Sequence, residues 1–394
     1  MEIIKFLFFW SLFSIFWIYL GYPIFLFIIS KFFTNNSYYD SNFSPFLTII
    51  IPTYNEEKVI RNKLLNCLDL KYKKKNIEII VVDSASKDNT RKIVNEISHN
   101  STRIIIKLIE QKTRKGKASA VNLGLKESKG DIILITDANA YMEKNSLSNL
   151  TKHFANPKIG GVEGKYILKN SFNSDIGAGE SFFRRLENWI REKESRIDSV
   201  LCMVGEISCF RKDIINCLDE NIIAEDFDMS IRIRKTGYKL LHEPSAIIWE
   251  YAPNSIQDEI TQKKRRVIGT LQIMIKHYRM LFNPKYGLYS FLILPSHSFL
   301  RVFSPLLLAL LIITTFYYYF ILHNPWIVGL IFIGIILIIT EVLYLGLKKF
   351  NFKINNIFVS IHYFFVSQLI VLYAWHDFMK RKYKVTWDKI DSSR

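Results

Sequence analysis

The feature that most constrains the fold is an uncharged apolar run near the N-terminus. Residues 6–30, FLFFWSLFSIFWIYLGYPIFLFIIS, contain no Asp, Glu, Lys or Arg. A helix of about 20 apolar residues crosses the hydrocarbon core of a membrane. This run is also longer than the apolar region of a signal peptide, and no small-residue cleavage site follows it. We therefore expect residues 1–31 to be a retained membrane anchor; a cleaved signal peptide is the alternative.

A second membrane region is expected near the C-terminus. It covers residues 286–378, with candidate spans at about 302–322, 324–347 and 356–377, and a basic tail over 379–394 follows it. The sequence His323-Asn324-Pro325 predicts a sharp turn between the first two of these spans. Polar side chains such as His362 and Gln368 interrupt the third, so that segment either spans the membrane or lies in its interface.

Basic residues flank these segments and predict their orientation. Lys31 follows the anchor, Arg301 precedes the next span and Lys348 ends the one after it. Because Lys and Arg are enriched in cytoplasmic loops, the chain between the anchor and the later spans should be cytoplasmic. The basic residues 380–384 also favour the cytoplasm, which would place segment 356–377 in the interface. We expect a multi-pass protein of the plasma membrane or inner membrane.

The polar sequence between the membrane segments, residues 45–280, is long enough to bury its own core. Short apolar runs, LTIII, IEIIVV, RIIIKLI and DIILIT, alternate there with stretches of helical pattern. Continuous apolar runs bounded by turn residues are typical of strands buried on both faces. The alternation predicts an α/β fold with a parallel sheet and helices on each side.

Polar side chains follow these strands where ligands bind in open parallel sheets, at the carboxyl ends. Pro52 to Glu56, Asp83, Asp137 and Asn139 occupy such positions. A single acid there is often a helix cap or a turn former, but coincidence at several strand ends favours a site. Asp137 and Asn139 are separated by one residue, so both oxygens could reach a hard divalent cation that bridges to a diphosphate.

The formal charge of +17 is compatible with nucleic-acid binding. The basic residues are scattered, however, and the densest groups lie beside membrane segments or in KYKKK at 71–75. Attraction to anionic lipid headgroups explains them, and no nucleic-acid motif accompanies them. We expect membrane lipids as partners and no nucleic acid. The cysteines show no metal-ligand spacing and predict free thiols in a cytoplasmic domain.

A series of motifs, in this order and spacing, resembles a known enzyme family. They are IIIPTYNEE, VVDSASKDNT, KGKASAVNLGL, LITDANA, AEDFDMSIRIRKTGYK and QKKRR. Together they are similar to the inverting GT-A-type nucleotide-sugar glycosyltransferases, which include cellulose, chitin, hyaluronan and poly-N-acetylglucosamine synthases. The resemblance covers about residues 45–280. It implies a Rossmann-like GT-A domain with a mostly parallel sheet, flanked by transmembrane helices.

The resemblance also implies a donor site and a cation site. The residues that match positions of the nucleotide-sugar site are Pro52, Thr53, Tyr54, Glu56, Asp83, Lys117, Asp137, Gln262, Arg265 and Arg266. Asp137 and Asn139 match the Asp-x-Asp motif that binds Mg²⁺ or Mn²⁺. Asn replaces the second Asp, and a neutral amide is a weaker ligand, so cation affinity should fall unless another acidic group contributes.

The catalytic base implied by the resemblance is Asp226, which is preceded by Glu225 in AEDFD. Inversion needs a carboxylate that takes the proton of the acceptor hydroxyl. Asp228 suits the first turn of the following helix instead. In QKKRR, Arg266 takes the place of the tryptophan that forms an acceptor platform in polymerising relatives. Glu206 either faces the acceptor or forms a surface salt bridge.

Two versions of the function remain, which differ in the acceptor. In the first, the enzyme moves a sugar from a nucleotide sugar, expected to be a UDP-sugar, to a glycan or lipid-linked acceptor with a β-linkage. In the second, a processive synthase of the poly-N-acetylglucosamine or hyaluronan type extends a polymer, with an accessory subunit where one is needed. Arg266 and the small number of spans favour the first version. A catalytically inactive sugar-nucleotide binder would be expected to lack the Asp226 carboxylate.

Overall fold

The structure is a computed structural model that describes residues 2–33, 39–169, 175–251, 256–322, 328–350 and 356–385. Within these residues, eight strands form one sheet in the spatial order β3-β2-β1-β4-β7-β6-β8-β5. In chain order the strands are β1 (Leu47–Thr53), β2 (Ile77–Asp83), β3 (Ile105–Glu110), β4 (Ile132–Ile135), β5 (Tyr141–Met142), β6 (Ile159–Lys169), β7 (Ser208–Arg211) and β8 (Lys239–Tyr251).

Helices cover the sheet and form the apolar ends of the chain. They are α1 (Glu2–Phe16), α2 (Tyr22–Ile29), α3 (Ile60–Asp69), α4 (Thr90–Asn100), α5 (Lys117–Glu127), α6 (Ser146–Thr151), α7 (Asp175–Ile197), α8 (Glu225–Lys235), α9 (Ile256–His277), α10 (Leu300–Leu322), α11 (Val328–Lys349) and α12 (Asn356–Met379). A π-helical turn, Trp17–Gly21, joins α1 to α2, and a π-helical stretch, Tyr289–Phe299, leads into α10.

Strands β1 to β4 form the parallel part of the sheet. β1 pairs with β2 and β4, and β2 pairs with β3, in parallel. Alternate residues of a strand face opposite sides, so Ile49 lies in the apolar cluster with α3 and α4, and Ile50 in the cluster with α5 and α8. Both faces are covered, as the continuous Ile and Val runs predict. The α/β fold with a mostly parallel sheet is confirmed.

The apolar runs of the sequence do not predict the second half of the sheet. β7 lies antiparallel between β4 and β6, and β8 pairs in parallel with β6 and antiparallel with β5. These strands lack a clear alternation because glycines interrupt β6 and the polar stretch HEPS interrupts β8. A Cβ at Gly164 would lie 2.3 Å from the Ala246 carbonyl oxygen, next to a shift in the β6–β8 register. Glycine permits this close approach of two backbones.

Among the described residues, four helical segments are long and apolar enough to cross a membrane, judged by length and composition alone. They are Glu2–Ile29, Tyr289–Ile321, Val328–Lys349 and Ile357–Met379. The second begins well before the predicted span 302–322, because the π-helical stretch continues into α10. The predicted turn at 323–325 and residues 386–394 of the tail lie outside the described residues. The domain boundaries therefore stay predictions.

Helix α7 connects the sheet domain to the apolar helices through evenly spaced glutamates. The bonded pairs are Glu194 with Tyr22 of α2, Glu187 with Arg301 of α10, and Glu180 with Tyr363 of α12. A repeat of about seven residues keeps side chains on one face of a helix. One face of α7 is therefore bonded to three apolar helices in turn.

Candidate active site

A cleft lies at the carboxyl ends of β1 and β4, beside the start of α5. Its walls include most of the residues predicted to bind the donor. They are Pro52, Thr53, Tyr54, Glu56, Ser84, Arg114, Gly116, Lys117, Ala120, Asp137 and Ala138. Residues far apart in sequence converge here because the carboxyl ends of parallel strands meet at one edge.

Tyr54 and Arg114 meet at one side of this cleft. The guanidinium carbon of Arg114 lies 3.9 Å from the centroid of the Tyr54 ring, which is a cation–π contact. Sequence reasoning missed Arg114, which lies in the loop before α5 and just outside the motif KGKASAVNLGL. Gly116 has a φ of 96°, a left-handed conformation that favours glycine, and it allows this loop to turn into the helix.

Asp83 ends β2 and is fully buried next to the cleft residue Ser84. It accepts a hydrogen bond from the Ser86 backbone N–H at 3.0 Å and pairs with Arg91 at 3.1 Å. Its Oδ1 atom has no hydrogen-bond partner among the described residues. A buried acceptor without a partner is costly, but Asp83 does not form part of the cleft wall in the described structure. The nucleotide role of Asp83 stays a prediction.

Lys63 holds the turn that carries Asp137 and Asn139. This side chain of α3 is fully buried, and its Nζ donates to Thr136 Oγ1 at 2.8 Å and to the carbonyl oxygen of Ala140. Burial lowers the pKa of Lys63. Sequence reasoning missed it because a lysine on a helix is normally solvated. Its hydrogen bonds brace the turn on both sides of the two ligand positions.

Lys117 joins acidic groups from two different elements. Its Nζ lies 2.7 Å from Asp137 Oδ1 and 3.5 Å from Glu225 Oε1. Burial by itself would lower the pKa of Lys117, but Asp137 and Glu225 raise it above its ordinary value. The ammonium is therefore charged at neutral pH. It lies at the first turn of α5, where free backbone N–H groups also favour an anion.

Asp226, the predicted base, lies partly buried in the first turn of α8. Its Oδ1 accepts a hydrogen bond from the Phe227 backbone N–H at 2.8 Å. Burial and the neighbouring Glu225 raise the pKa of Asp226 to about 7. A carboxylate with a pKa near the operating pH is suited to general base catalysis. Gly205 leaves room for it, since a Cβ there would lie 3.1 Å from Asp226 Oδ2.

Asp228 has a different environment from Asp226, although the two residues are separated only by Phe227. It is buried and bonded to His277 Nε2 at 2.8 Å and to Lys276 Nζ at 2.8 Å, both at the end of α9. Asp228 therefore links α8 to α9. These contacts leave Asp226 as the better candidate for the base.

A further acidic group, missed by sequence reasoning, lies beside Asn139. Asn139 Nδ2 donates to Glu250 Oε2 at 3.1 Å, and the Tyr166 hydroxyl donates to Glu250 Oε1. Burial and the nearby Glu206 raise the pKa of Glu250 to about 7. Glu250 lies on β8 and Tyr166 on β6, in the half of the sheet that the apolar runs do not predict. The run AIIW before Glu250 is the only signal in the sequence that could have identified a strand end here.

The basic stretch QKKRR lies on α9 and contacts other helices. Arg265 donates to the backbone carbonyl of Val385 at 2.7 Å, and Arg266 lies 3.5 Å from Glu180 of α7. Gln262 is half-buried. In the described structure, the walls of the cleft include none of these three side chains. Their proposed contact with the donor stays a prediction.

Comparison with known proteins agrees with this geometry. The family model described as Glycosyl transferase family 2 matches residues 48–219. Residues 48–219 form a glycosyl transferase family 2 domain. The match includes Lys117, Asp137 and Gly205 and ends shortly before Asp226. The family identified from the motifs is confirmed, and the protein is a glycosyltransferase.

Relatives of the family 2 domain agree with this assignment. Poly-beta-1,6-N-acetyl-D-glucosamine synthase of Staphylococcus aureus is 28% identical over 286 residues, which cover 71% of this chain and 68% of that one. The probable glycosyltransferase YdaM of Bacillus subtilis is 33% identical over 252 residues, covering 61% and 59%. The mannosyltransferase PcManGT from Pyrobaculum calidifontis, solved with GDP-Man and Mn²⁺, superposes with a TM-score of 0.70 at 23% identity, covering 92% of this chain and 96% of that one. That likeness shows a shared fold.

Proposed function

We propose that the protein is a membrane-bound inverting glycosyltransferase that moves a sugar from a nucleotide sugar to a glycan or lipid-linked acceptor with a β-linkage. We expect the donor to be a UDP-sugar. The observation that carries the proposal is the meeting of Asp226, Lys117 and Asp137 at the carboxyl edge of the parallel strands. It combines a carboxylate suited to act as a base with a cation that can bind a diphosphate.

Each part of the cleft has a role in this reaction. Tyr54 and Asp83 hold the nucleoside, and Lys117 at the start of α5 binds the diphosphate. Asp226 takes the proton of the acceptor hydroxyl while the hydroxyl oxygen forms a bond to the anomeric carbon. The bond from that carbon to the diphosphate breaks on the opposite face, and the diphosphate leaves with the electron pair. Gln262 and Arg265 are proposed to contact the departing diphosphate.

A divalent cation, Mg²⁺ or Mn²⁺, fits beside Asp137 and Asn139. The described residues contain no group of three or more His, Cys, Asp and Glu side chains arranged for a metal ion, so donor phosphates would complete the coordination. The Glu250 carboxyl group, which accepts a hydrogen bond from Asn139 Nδ2 at 3.1 Å, supports a cation here by adding a further acidic group. PcManGT was solved with Mn²⁺ and GDP-Man. When bound, such a cation neutralises charge on the departing diphosphate.

We also propose that the catalytic domain faces the cytoplasm and that α12 lies in the membrane interface. Both halves of α12 contact helices next to the sheet: Tyr363 with Glu180 of α7, and Asp377 with Lys264 of α9 at 2.6 Å. A crossing helix would bring only one end to the domain. An interfacial α12 keeps the basic residues that follow it in the cytoplasm. To test this arrangement, one cysteine is introduced into the basic tail of the protein, and its accessibility to a labelling reagent is measured in intact cells.

The experiment that tests the function is release of the nucleoside diphosphate, UDP or GDP, by the purified, detergent-solubilised protein. It is offered a panel of UDP- and GDP-sugars with Mg²⁺ or Mn²⁺, in the wild type and in the Asp226→Asn variant. Release from one donor that is lost in the variant would support the proposal. No release from any donor, in detergent or in native membranes that retain acceptors, would favour a binding protein instead.

A processive polysaccharide synthase is the second candidate. The similarity to poly-beta-1,6-N-acetyl-D-glucosamine synthase over 71% of the chain favours it. Arg266 in place of the platform tryptophan favours single addition or a need for an accessory subunit. The size of the labelled product separates the two candidates.

A further inference from the structure

The Asn139 amide has a fixed orientation in the structure. Its Nδ2 donates to Glu250 Oε2 at 3.1 Å, and the side chain is buried. A carboxylate accepts hydrogen bonds and cannot donate them. Glu250 therefore selects the amide nitrogen, and the carbonyl oxygen Oδ1 of Asn139 is directed away from it.

Glu250 is itself held in place by a second element. Its Oε1 accepts a hydrogen bond from the hydroxyl of Tyr166, which is buried on β6. The backbone carbonyl of Tyr166 in turn accepts from Asn188 Nδ2 of α7 at 2.9 Å. Both oxygens of Glu250 are thus bonded to donors from different segments. The carboxylate is fixed before any ligand binds.

This group has the same number of carboxyl groups as an Asp-x-Asp pair. Asp137 supplies one, Asn139 supplies none, and Glu250 brings a second to hydrogen-bond distance from the amide. Across the part of the chain that the structure describes, Glu250 takes part in no ion pair within 4.0 Å. Its carboxyl group is therefore not held in a salt bridge by any described residue.

We propose that Glu250 is a positioning residue for the divalent cation: it orients the Asn139 amide as a ligand and supplies the carboxyl group that Asn139 lacks. This inference rests on the proposed cation-dependent function. Partners of metal ligands fix ligand orientation and commonly change metal affinity by about 10- to 100-fold when removed. A hydrogen bond that only secures the end of β8 would have no such effect.

The test measures Mn²⁺ affinity by electron paramagnetic resonance on the full-length detergent-solubilised protein with saturating UDP. We expect Glu250→Gln to weaken Mn²⁺ binding about tenfold. The double variant Asn139→Asp/Glu250→Gln exchanges the charge and the amide between the two positions, so it should return the affinity to within about threefold of the wild type. The matched control is Glu243→Gln, a buried glutamate of the same strand that binds His153, and it should leave Mn²⁺ affinity unchanged.

Two results would overturn the inference. One is an unchanged Mn²⁺ affinity in Glu250→Gln, and the other is a double variant as weak as the single one. UDP release from the wild type, measured in parallel, separates this failure from failure of the proposed function. If the wild type transfers sugar without a divalent cation, the function stands and the role of Glu250 is refuted. If the wild type neither binds Mn²⁺ nor releases UDP, the proposed function itself fails.

Discussion

The cleft and helix α9 both carry dense charge, but they use it differently. In the cleft, Lys117 faces Asp137 and Glu225, while Asp226 lies beside them with a pKa of about 7. On α9, each base of QKKRR already has a partner outside the cleft. These pairs are Lys263 and Arg266 with Glu180, Lys264 with Asp377, and Arg265 with the Val385 carbonyl.

This difference separates groups that act in the reaction from groups that hold the catalytic domain against the apolar helices. Around Lys117, the acids Asp137, Glu225 and Asp226 outnumber the bases, so the free energy of this region falls when a positive group enters or a proton is bound. The bases of QKKRR are matched by α7, α12 and the segment after α12, so they connect the catalytic domain to the apolar helices. Groups in the cleft should therefore control turnover, and the ion-paired bases Lys263, Lys264 and Arg266 of α9 should affect assembly more than donor binding.

The largest effect is expected for Asp226→Asn, which keeps the shape of the side chain and removes the base. General base catalysis contributes about 10²- to 10⁴-fold, so kcat should fall by about 10³-fold. Rates of UDP release with saturating donor measure this, and UDP affinity serves as the control because it should change little. A residual rate within about tenfold of the wild type would show that another group, such as Glu206, is the base.

Lys117→Met should have the next largest effect, because it leaves Asp137 and Glu225 without their shared cation. Removal of one charge-stabilising donor costs about 10²- to 10³-fold in comparable enzyme sites, and we expect a loss of about 10²-fold in kcat/KM for the donor. Steady-state kinetics with varied donor give this value. If the loss were no greater than for a lysine of α9, such as Lys264→Met, the contrast between the two regions would fail.

The pH dependence of turnover tests the charge network of the cleft directly. The raised pKa of Asp226 means that the base is protonated and inactive below about pH 7, so kcat/KM should fall about tenfold per pH unit on the acidic side. Glu225→Gln removes a charge that raises this pKa, so the acidic limb should move to lower pH. Lys117→Met removes a charge that lowers it, so the limb should move to higher pH. Arg266→Gln on α9 is the control and should leave the limb in place.

One rule about parallel sheets explains why several residues of the cleft could be predicted to lie close together. Asp137 and Pro52 to Glu56 end buried strands whose apolar runs are visible in the sequence, and such strands share a carboxyl edge. Lys117 was matched through its motif, and its position at the start of α5 follows from the glycine before it. This part of the site depends on local sequence, which a single chain displays.

Other residues of the site depend on tertiary packing that local sequence does not display. Glu250 lies on β8. The polar residues of this strand and its close contact with a glycine of β6 give it the sequence pattern of a loop. Lys63 is buried because α3 packs behind the turn at Thr136, although its neighbours in sequence suggest a solvated helix. The orientation of the Arg266 side chain depends on its ion pair with Glu180 of α7. Such choices are set by neighbours distant in sequence.

Gly205→Ala should have a moderate effect. The new Cβ would lie 3.1 Å from Asp226 Oδ2, so the carboxylate must move by a few tenths of an ångström. Misplacement by 1 Å can cost about 10²-fold in rate, and we expect a loss of about three- to tenfold in kcat with little change in donor KM. Gly334→Ala on α11 is the matched control, since nothing lies within 4 Å of its Cβ position. Equal rates in the two variants would mean that Asp226 tolerates the contact and moves freely.

Arg266→Ala should have the smallest effect on the donor. The side chain is 43% exposed and lies 3.5 Å from Glu180, and exposed ion pairs contribute about 0–1 kcal/mol to stability. Glu180 keeps Arg184 at 2.9 Å, Lys263 at 3.3 Å and the Tyr363 hydroxyl. Donor kcat/KM should therefore change by less than about twofold, while the thermal unfolding temperature falls slightly. A loss of tenfold or more in donor kcat/KM would show that α9 reaches the diphosphate when the donor is bound, and the division between groups that act in the reaction and groups that hold the domain would then lie within α9.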